Sequence, residues 1–143
     1  MEKYFECGVR YEKTMENGFQ KKVTELYIVN ALSFAEAENR IINNVQPFIS
    51  GEFDVVTEKI TNYSELVWAN DSEADKWYKV KINLITLDER TMKEKRTPVY
   101  YLVQAKDIDA ARNSINTYMK DTISDWQCEA VQETKIIDVF LHN

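Results

Sequence analysis

Glycine, proline, cysteine and histidine are scarce in this 143-residue sequence, which holds 3 Gly, 2 Pro, 2 Cys and 1 His. Gly8, Gly18 and Gly51 stand isolated, so neither GxGxxG nor GxxxxGK[ST] occurs. Those motifs cradle phosphates on backbone N–H groups that only closely spaced glycines leave accessible, and their absence argues against nucleotide-dependent catalysis. Cys7 and Cys128 form no CxxC pair, and with His142 they give too few soft ligands for a zinc site. A Ser-His-Asp or Cys-His arrangement would depend on His142 alone, a tail residue expected to be solvated. No apolar run nears the roughly 18 residues of a membrane span. The opening Met1-Glu2-Lys3-Tyr4-Phe5-Glu6 lacks the basic-then-apolar order of a signal peptide. The expectation is a cytoplasmic chain without cofactor or metal, whose two cysteines are small buried apolar side chains.

What is present is a globular composition: 44% hydrophobic and 29% charged residues, with 6 Phe, 8 Tyr and 3 Trp. A disordered chain has fewer aromatics and more Gly and Pro. The net charge of −6 disfavours long-range attraction to a phosphate backbone. It is uneven: residues 1–72 carry 7 Lys and Arg against 12 Asp and Glu, residues 73–143 carry 11 against 12.

The dominant pattern is an internal repeat. Lys3-Tyr4-Phe5 returns 73 positions later as Lys76-Trp77-Tyr78, and the alternation Phe5, Cys7, Val9, Tyr11 continues as Tyr78, Val80, Ile82, Leu84. Period-2 alternation marks a strand with one buried face. Second strands follow at Leu26–Ala31 and Tyr100–Ala105, with the polar stretches Glu12–Lys22 and Asp88–Arg96 as the distal parts of long hairpins. Asn17-Gly18 is a turn signal, and Pro98 marks a strand start or an edge.

A helix follows each hairpin. Ser33 with Glu36 forms a capping box, and Asp107 takes the cap position in the second copy. The apolar stripes read Phe34, Ala37, Ile41, Val45, Phe48 and Ile108, Ala111, Ile115, Met119, Ile123, with Pro47 ending or bending the first helix. Third strands run over about Phe53–Ile60 and Trp126–Glu133, each followed by a further extended piece, Tyr63–Trp68 and Ile137–Leu141. These pieces read equally as bulged continuations or as separate strands. The expected fold is α+β: a tandem duplication of a ββαβ unit in one compact domain, 1–68 and 76–143 joined by an acidic linker, 69–75. A mainly antiparallel sheet would carry both helices on one face, with strand 1 central in each copy.

No carboxylate pair stands out from the 24 Asp and Glu. Asp107 and Asp109 are explained as helix-start residues. Residues 69–75 alternate oxygen-bearing side chains but lack the central Gly and terminal Glu of a calcium loop. Trp68 and Trp77 flank this linker and read as packing residues, an exposed aromatic pair for a partner being the alternative. One functional pattern remains: Lys21 and Lys22 in the first hairpin, and Arg90, Lys93, Lys95 and Arg96 in the second. Paired cationic arms, with Phe19 or Met92 reaching a base, can contact nucleic acid. Each stretch nets only +1, which equally suits exposed hairpins charged for solubility and against edge pairing.

The runs Tyr4-Phe5-Glu6-Cys7-Gly8-Val9-Arg10-Tyr11, Lys21-Lys22-Val23-Thr24-Glu25-Leu26-Tyr27-Ile28-Val29 and Ser33-Phe34-Ala35-Glu36-Ala37-Glu38 resemble a family of small uncharacterised proteins. That family occurs in gut anaerobes, their mobile elements and phages, and is known as a domain of unknown function. The resemblance spans nearly the whole chain and brings no catalytic motif. It implies a genome-maintenance or phage setting rather than a housekeeping enzyme. The sequence therefore leads to a non-catalytic binding or assembly module, its partner another protein or a second copy through an edge strand. The alternative is an accessory protein for single-stranded nucleic acid, and a carboxylate-based hydrolase ranks third.

Overall fold

The structure is a computed structural model that describes residues 2–142. Its elements, in order, are β1 (Lys3–Thr14), β2 (Gln20–Ala31), α1 (Phe34–Val45), β3 (Phe53–Ile60), β4 (Tyr63–Val67), β5 (Lys76–Asp88), β6 (Lys93–Ala105), α2 (Ile108–Tyr118), β7 (Asp125–Glu133) and β8 (Ile136–Phe140). The α+β class holds. In place of one sheet there are two mixed four-stranded sheets, β3-β1-β2-β8 and β4-β6-β5-β7. No described helix is long and apolar enough to cross a membrane.

The alternation in β1 turns Phe5, Cys7 and Val9 to the same side as Tyr27, Val29 and Ala31 of β2. The helix α1 closes this core with Ala37, Ile41 and Val45. In the second unit Tyr78, Val80 and Ile82, with Tyr101, Val103 and Ala105, pack under Ala111, Ile115 and Met119. Strand β1 lies between β2 and β3, and β5 between β6 and β7, antiparallel to both neighbours. Each helix therefore connects two parallel strands that flank the central one, as the repeat predicts.

Capping fixes where the helices begin. Ser33 Oγ accepts the Glu36 N–H at 3.1 Å, while the Glu36 carboxylate reaches back to the Leu32 N–H at 3.4 Å. Asp107 Oδ1 accepts the Ala110 N–H at 2.7 Å. The first helix stops at Val45, just before Pro47, and the second at Tyr118. Phe48 and Ile123, expected on the buried stripes, lie beyond these ends and are exposed. The helical spacing runs on in sequence past Val45 and Tyr118 into irregular turns, in which the Phe48 N–H donates to Val45 O at 2.9 Å and the Thr122 N–H to Met119 O at 3.0 Å.

The edge strands β3 and β7 carry β-bulges at matching places. Val56 is the extra residue opposite the Gly8–Val9 step, and Glu129 opposite the Lys81–Ile82 step. A bulge interrupts the regular ladder and hinders pairing with another strand.

The largest departure from the sequence reading concerns the last strand of each copy. Strand β4 pairs in parallel with β6, and β8 in parallel with β2, so each sheet takes its fourth strand from the other repeat. The compact units are accordingly Met1–Asn62 with Lys135–Asn143, and Tyr63–Thr134. These divisions differ from 1–68 and 76–143 because a short parallel strand carries no local mark of its partner. A threonine marks each crossing. Thr61 N–H and Oγ1 both donate to the Tyr4 carbonyl at 2.9 Å. Thr134 N–H and Oγ1 donate to the Trp77 carbonyl at 2.9 and 2.8 Å. Thr61→Val and Thr134→Val keep the β-branched shape and the N–H bond but lose the hydroxyl bond. Each is expected to lower stability by about 0.5–1 kcal/mol in urea denaturation; an unchanged midpoint in both would remove the threonines from the account.

Candidate functional site

Beyond the reach of the neighbouring strands, each central hairpin continues as a two-stranded arm. Strand β3 pairs with β1 only from Phe5 to Tyr11, whereas β1 and β2 stay paired to Thr14 and Gln20. Strand β7 pairs with β5 only up to Ile85, whereas β5 and β6 stay paired to Asp88 and Lys93. At the first tip, Met15 N–H donates to Phe19 O at 2.8 Å and Gly18 N–H to Met15 O at 2.9 Å. Gly18 takes φ +84°, which only glycine adopts at no steric cost. At the second tip the Arg90 N–H donates to Asp88 Oδ1 at 2.9 Å and the Met92 N–H to Asp88 O at 2.7 Å. Met92 sits at φ +57°, a left-handed backbone that disfavours a methionine.

The six basic residues singled out in sequence are all exposed on these arms, but they do not form one cluster. Lys21 pairs across from Lys13, Lys22 from Glu12, Lys93 from Asp88, Lys95 from Thr86 and Arg96 from Ile85. Alternation places Lys21, Lys93 and Lys95 on the helix side and Lys22 and Arg96 on the other. Arg90 lies in the turn. Arg96 is already engaged, donating to Gln127 Oε1 at 2.8 Å and lying 3.9 Å from Glu94.

Apolar exposure is the stronger signal. Phe19 and Met92, 73 positions apart, are 73% and 71% exposed at the two tips. Phe48 is 78% exposed and Ile123 fully so, each on the loop leaving its helix. That loop lies at the hairpin end of its unit, because the strand after it starts beside Tyr11 or Ile85. In both units, then, a hairpin tip and a helix-exit loop present large apolar side chains at one end. Sequence reasoning assigned Phe48 and Ile123 to the core; Pro47 was the available sign that the first stripe stops short.

In the first unit the arm and the exit loop enclose a groove of about 750 Å³, lined among others by Arg10, Tyr11, Lys13, Lys22, Phe48 and Asp54. Beside it, Tyr11 and Tyr27 both donate their hydroxyls to Glu25 Oε1, at 2.7 and 3.1 Å, and Lys13 lies 3.5 Å from Oε2. Burial, and then the Glu25 carboxylate, pushes the Tyr11 phenol up to about 12. The groove lining offers charge of both signs.

The remaining candidates fall elsewhere. Burial first, then Glu58, Glu6 and Glu38, pushes the Cys7 thiol up to about 12, so this core residue is a poor nucleophile. Cys128 is free and half-buried. His142 is not a loose tail residue: its N–H donates to Asn30 Oδ1 and its carbonyl accepts from Asn30 Nδ2, both at 2.7 Å, while Nε2 lies 3.0 Å from Asn44 Nδ2. Trp68 stacks edge-on against buried Trp77 with ring centroids 5.0 Å apart, and is itself half exposed. Among the described residues no group of three His, Cys, Asp or Glu could hold a metal ion.

No curated protein and no solved structure matches the chain. A family match does, and it covers residues 3–142, the two hairpin arms included. The chain belongs to the family described as a domain of unknown function (DUF4494).

Proposed function

We propose that the chain is a non-catalytic binding module that engages a protein partner through the hairpin end of its units, in the cytoplasm of a bacterium or of one infected by a phage. The observation that carries this reading is Met92. It breaks two local rules at once: an apolar side chain left in solvent, and a non-glycine residue at positive φ. Departures of this kind collect where function demands them. The repeat-equivalent Phe19, and Phe48 and Ile123 on the exit loops, are further exposed apolar side chains at the hairpin end of each unit.

A photo-crosslinking residue at position 92, with one at exposed Asn116 on α2 as control, tests the proposal in extracts of the source cell. Protein adducts at 92 and not at 116 are expected. No adducts, or equal adducts at both, would overturn it. A second expectation separates binding from folding. Met92→Asn places a residue tolerant of left-handed backbone at the tip. It is expected to raise stability by about 0.5 kcal/mol in thermal unfolding while abolishing adducts from a crosslinker at neighbouring Thr91. Undiminished adducts would exclude Met92 from the contact.

A second reading, contact with single-stranded nucleic acid, is favoured by one observation. Lys21 and Lys95, and likewise Lys22 and Arg96, are repeat-equivalent and face matching sides of their arms. Fluorescence anisotropy of labelled oligonucleotides at low and high salt decides it, since phosphate contacts weaken steeply with salt. Absence of binding at low salt removes this reading.

A further inference from the structure

We infer that the tip of the second hairpin is a self-recognition surface, and that its partner is a second copy of this chain. This rests on the hairpin-end reading above and names the partner for it. One alternative route to a dimer, pairing through the edge strands β3 and β7, is obstructed by the bulges at Val56 and Glu129.

The second tip has the charge layout that a two-fold contact needs. Asp88 and Glu89 close the β5 side, Lys93 and Lys95 open the β6 side with Glu94 between them on the other face, and exposed Met92 lies between the flanks. A two-fold axis through the tip lays the acidic flank of one copy on the basic flank of its twin, with Met92 beside its counterpart. Isologous contacts require this self-complementarity. Among the described residues no ion pair within the chain occupies Glu89, Arg90, Lys93 or Lys95, so these charges are open to an external partner. The first tip lacks the layout: Lys13 and Lys21 face each other across its strands, and Lys13 is held by Glu25. Like charges set opposite each other would repel in both the chain and a twinned contact. The second hairpin is therefore the self-associating one.

Charge exchange tests this directly. Sedimentation velocity over a wide concentration range should show concentration-dependent association of the unmodified chain, weakened by salt. Asp88→Lys with Glu89→Lys, and separately Lys93→Glu with Lys95→Glu, should each lose self-association. An equimolar mixture of the two variants should recover it, because acidic then meets basic across the axis. Matching melting temperatures check that both variants are folded. An unmodified chain that stays monomeric throughout, variants that associate like the parent, or a mixture that stays monomeric would each overturn the inference. A monomeric chain that still gives adducts to another protein from position 92 would overturn the second-copy inference while leaving the hairpin-end reading standing. Loss of the adducts alone would strike that reading instead.

Discussion

Gly8→Ala is expected to destabilise the protein by about 1–3 kcal/mol in urea denaturation, although alanine adds a single carbon. Gly8 is buried in the middle of β1, opposite Thr57 on β3. A Cβ at this position would fall far inside contact distance of Thr57 Oγ1. Thr57 is β-branched, so it cannot swing away freely within a strand. The second unit identifies the compensating change. There the equivalent pair is Lys81 opposite Ala130, in which a long side chain faces a small one. Gly8→Ala combined with Thr57→Ala is therefore expected to regain most of the loss, giving a favourable coupling in a double-mutant cycle. Additive losses would show that the clash with Thr57 is not what demands glycine.

Glu58→Val is expected to act in the opposite direction, stabilising the protein by about 1–2 kcal/mol at neutral pH. Glu58 faces Cys7 across the β1–β3 ladder, and its Oε1 is buried without a hydrogen-bond partner. Burial first, and the Glu38 carboxylate second, raise its carboxyl above the ordinary carboxylate range. At the equivalent position the second unit has Val131, packed against the core opposite Val80. The pH dependence follows from the raised value. Above it, Glu58 is ionised whether the chain is folded or not, and the folded state bears the full desolvation cost. As pH falls through it, the folded state takes up the proton first, and the parent gains stability relative to the unfolded chain. The gap between variant and parent should therefore narrow on acidification. A gap that widens would show the carboxylate to be stabilised rather than strained.

The sequence and the structure agree wherever the information is local. Phe5, Cys7 and Val9 alternate with polar neighbours, and a strand buried on one face is the outcome. Ser33 and Asp107 sit ahead of helical stripes, and both cap. The 73-residue echo between Lys3-Tyr4-Phe5 and Lys76-Trp77-Tyr78 reappears as two hairpins of closely similar register. Agreement ends where a partner must be chosen over a distance. Tyr63–Val67 and Ile136–Phe140 are visible as extended pieces, yet nothing within five residues says which strand they will join. The exposed ends of the apolar stripes are hidden for a different reason: Phe48 and Ile123 keep helical spacing although the helices end at Val45 and Tyr118, and Pro47 marks only the first of these ends. The basic residues were visible as residues, and even their separation was legible, because adjacent Lys21 and Lys22 must point to opposite sides of a strand.

The reciprocal placement of β4 and β8 also governs how the gene can be cut. A break in the acidic segment 69–75 yields an N-terminal piece that owns β1, β2, β3 and α1 but holds a strand belonging to the other sheet, while the strand that completes its own lies in the remaining piece. Neither fragment contains a whole sheet, so a truncation drawn at the repeat boundary leaves two open-sided halves. A single copy of the repeat standing alone would face the same shortage, and trading strands with a twin would fill it.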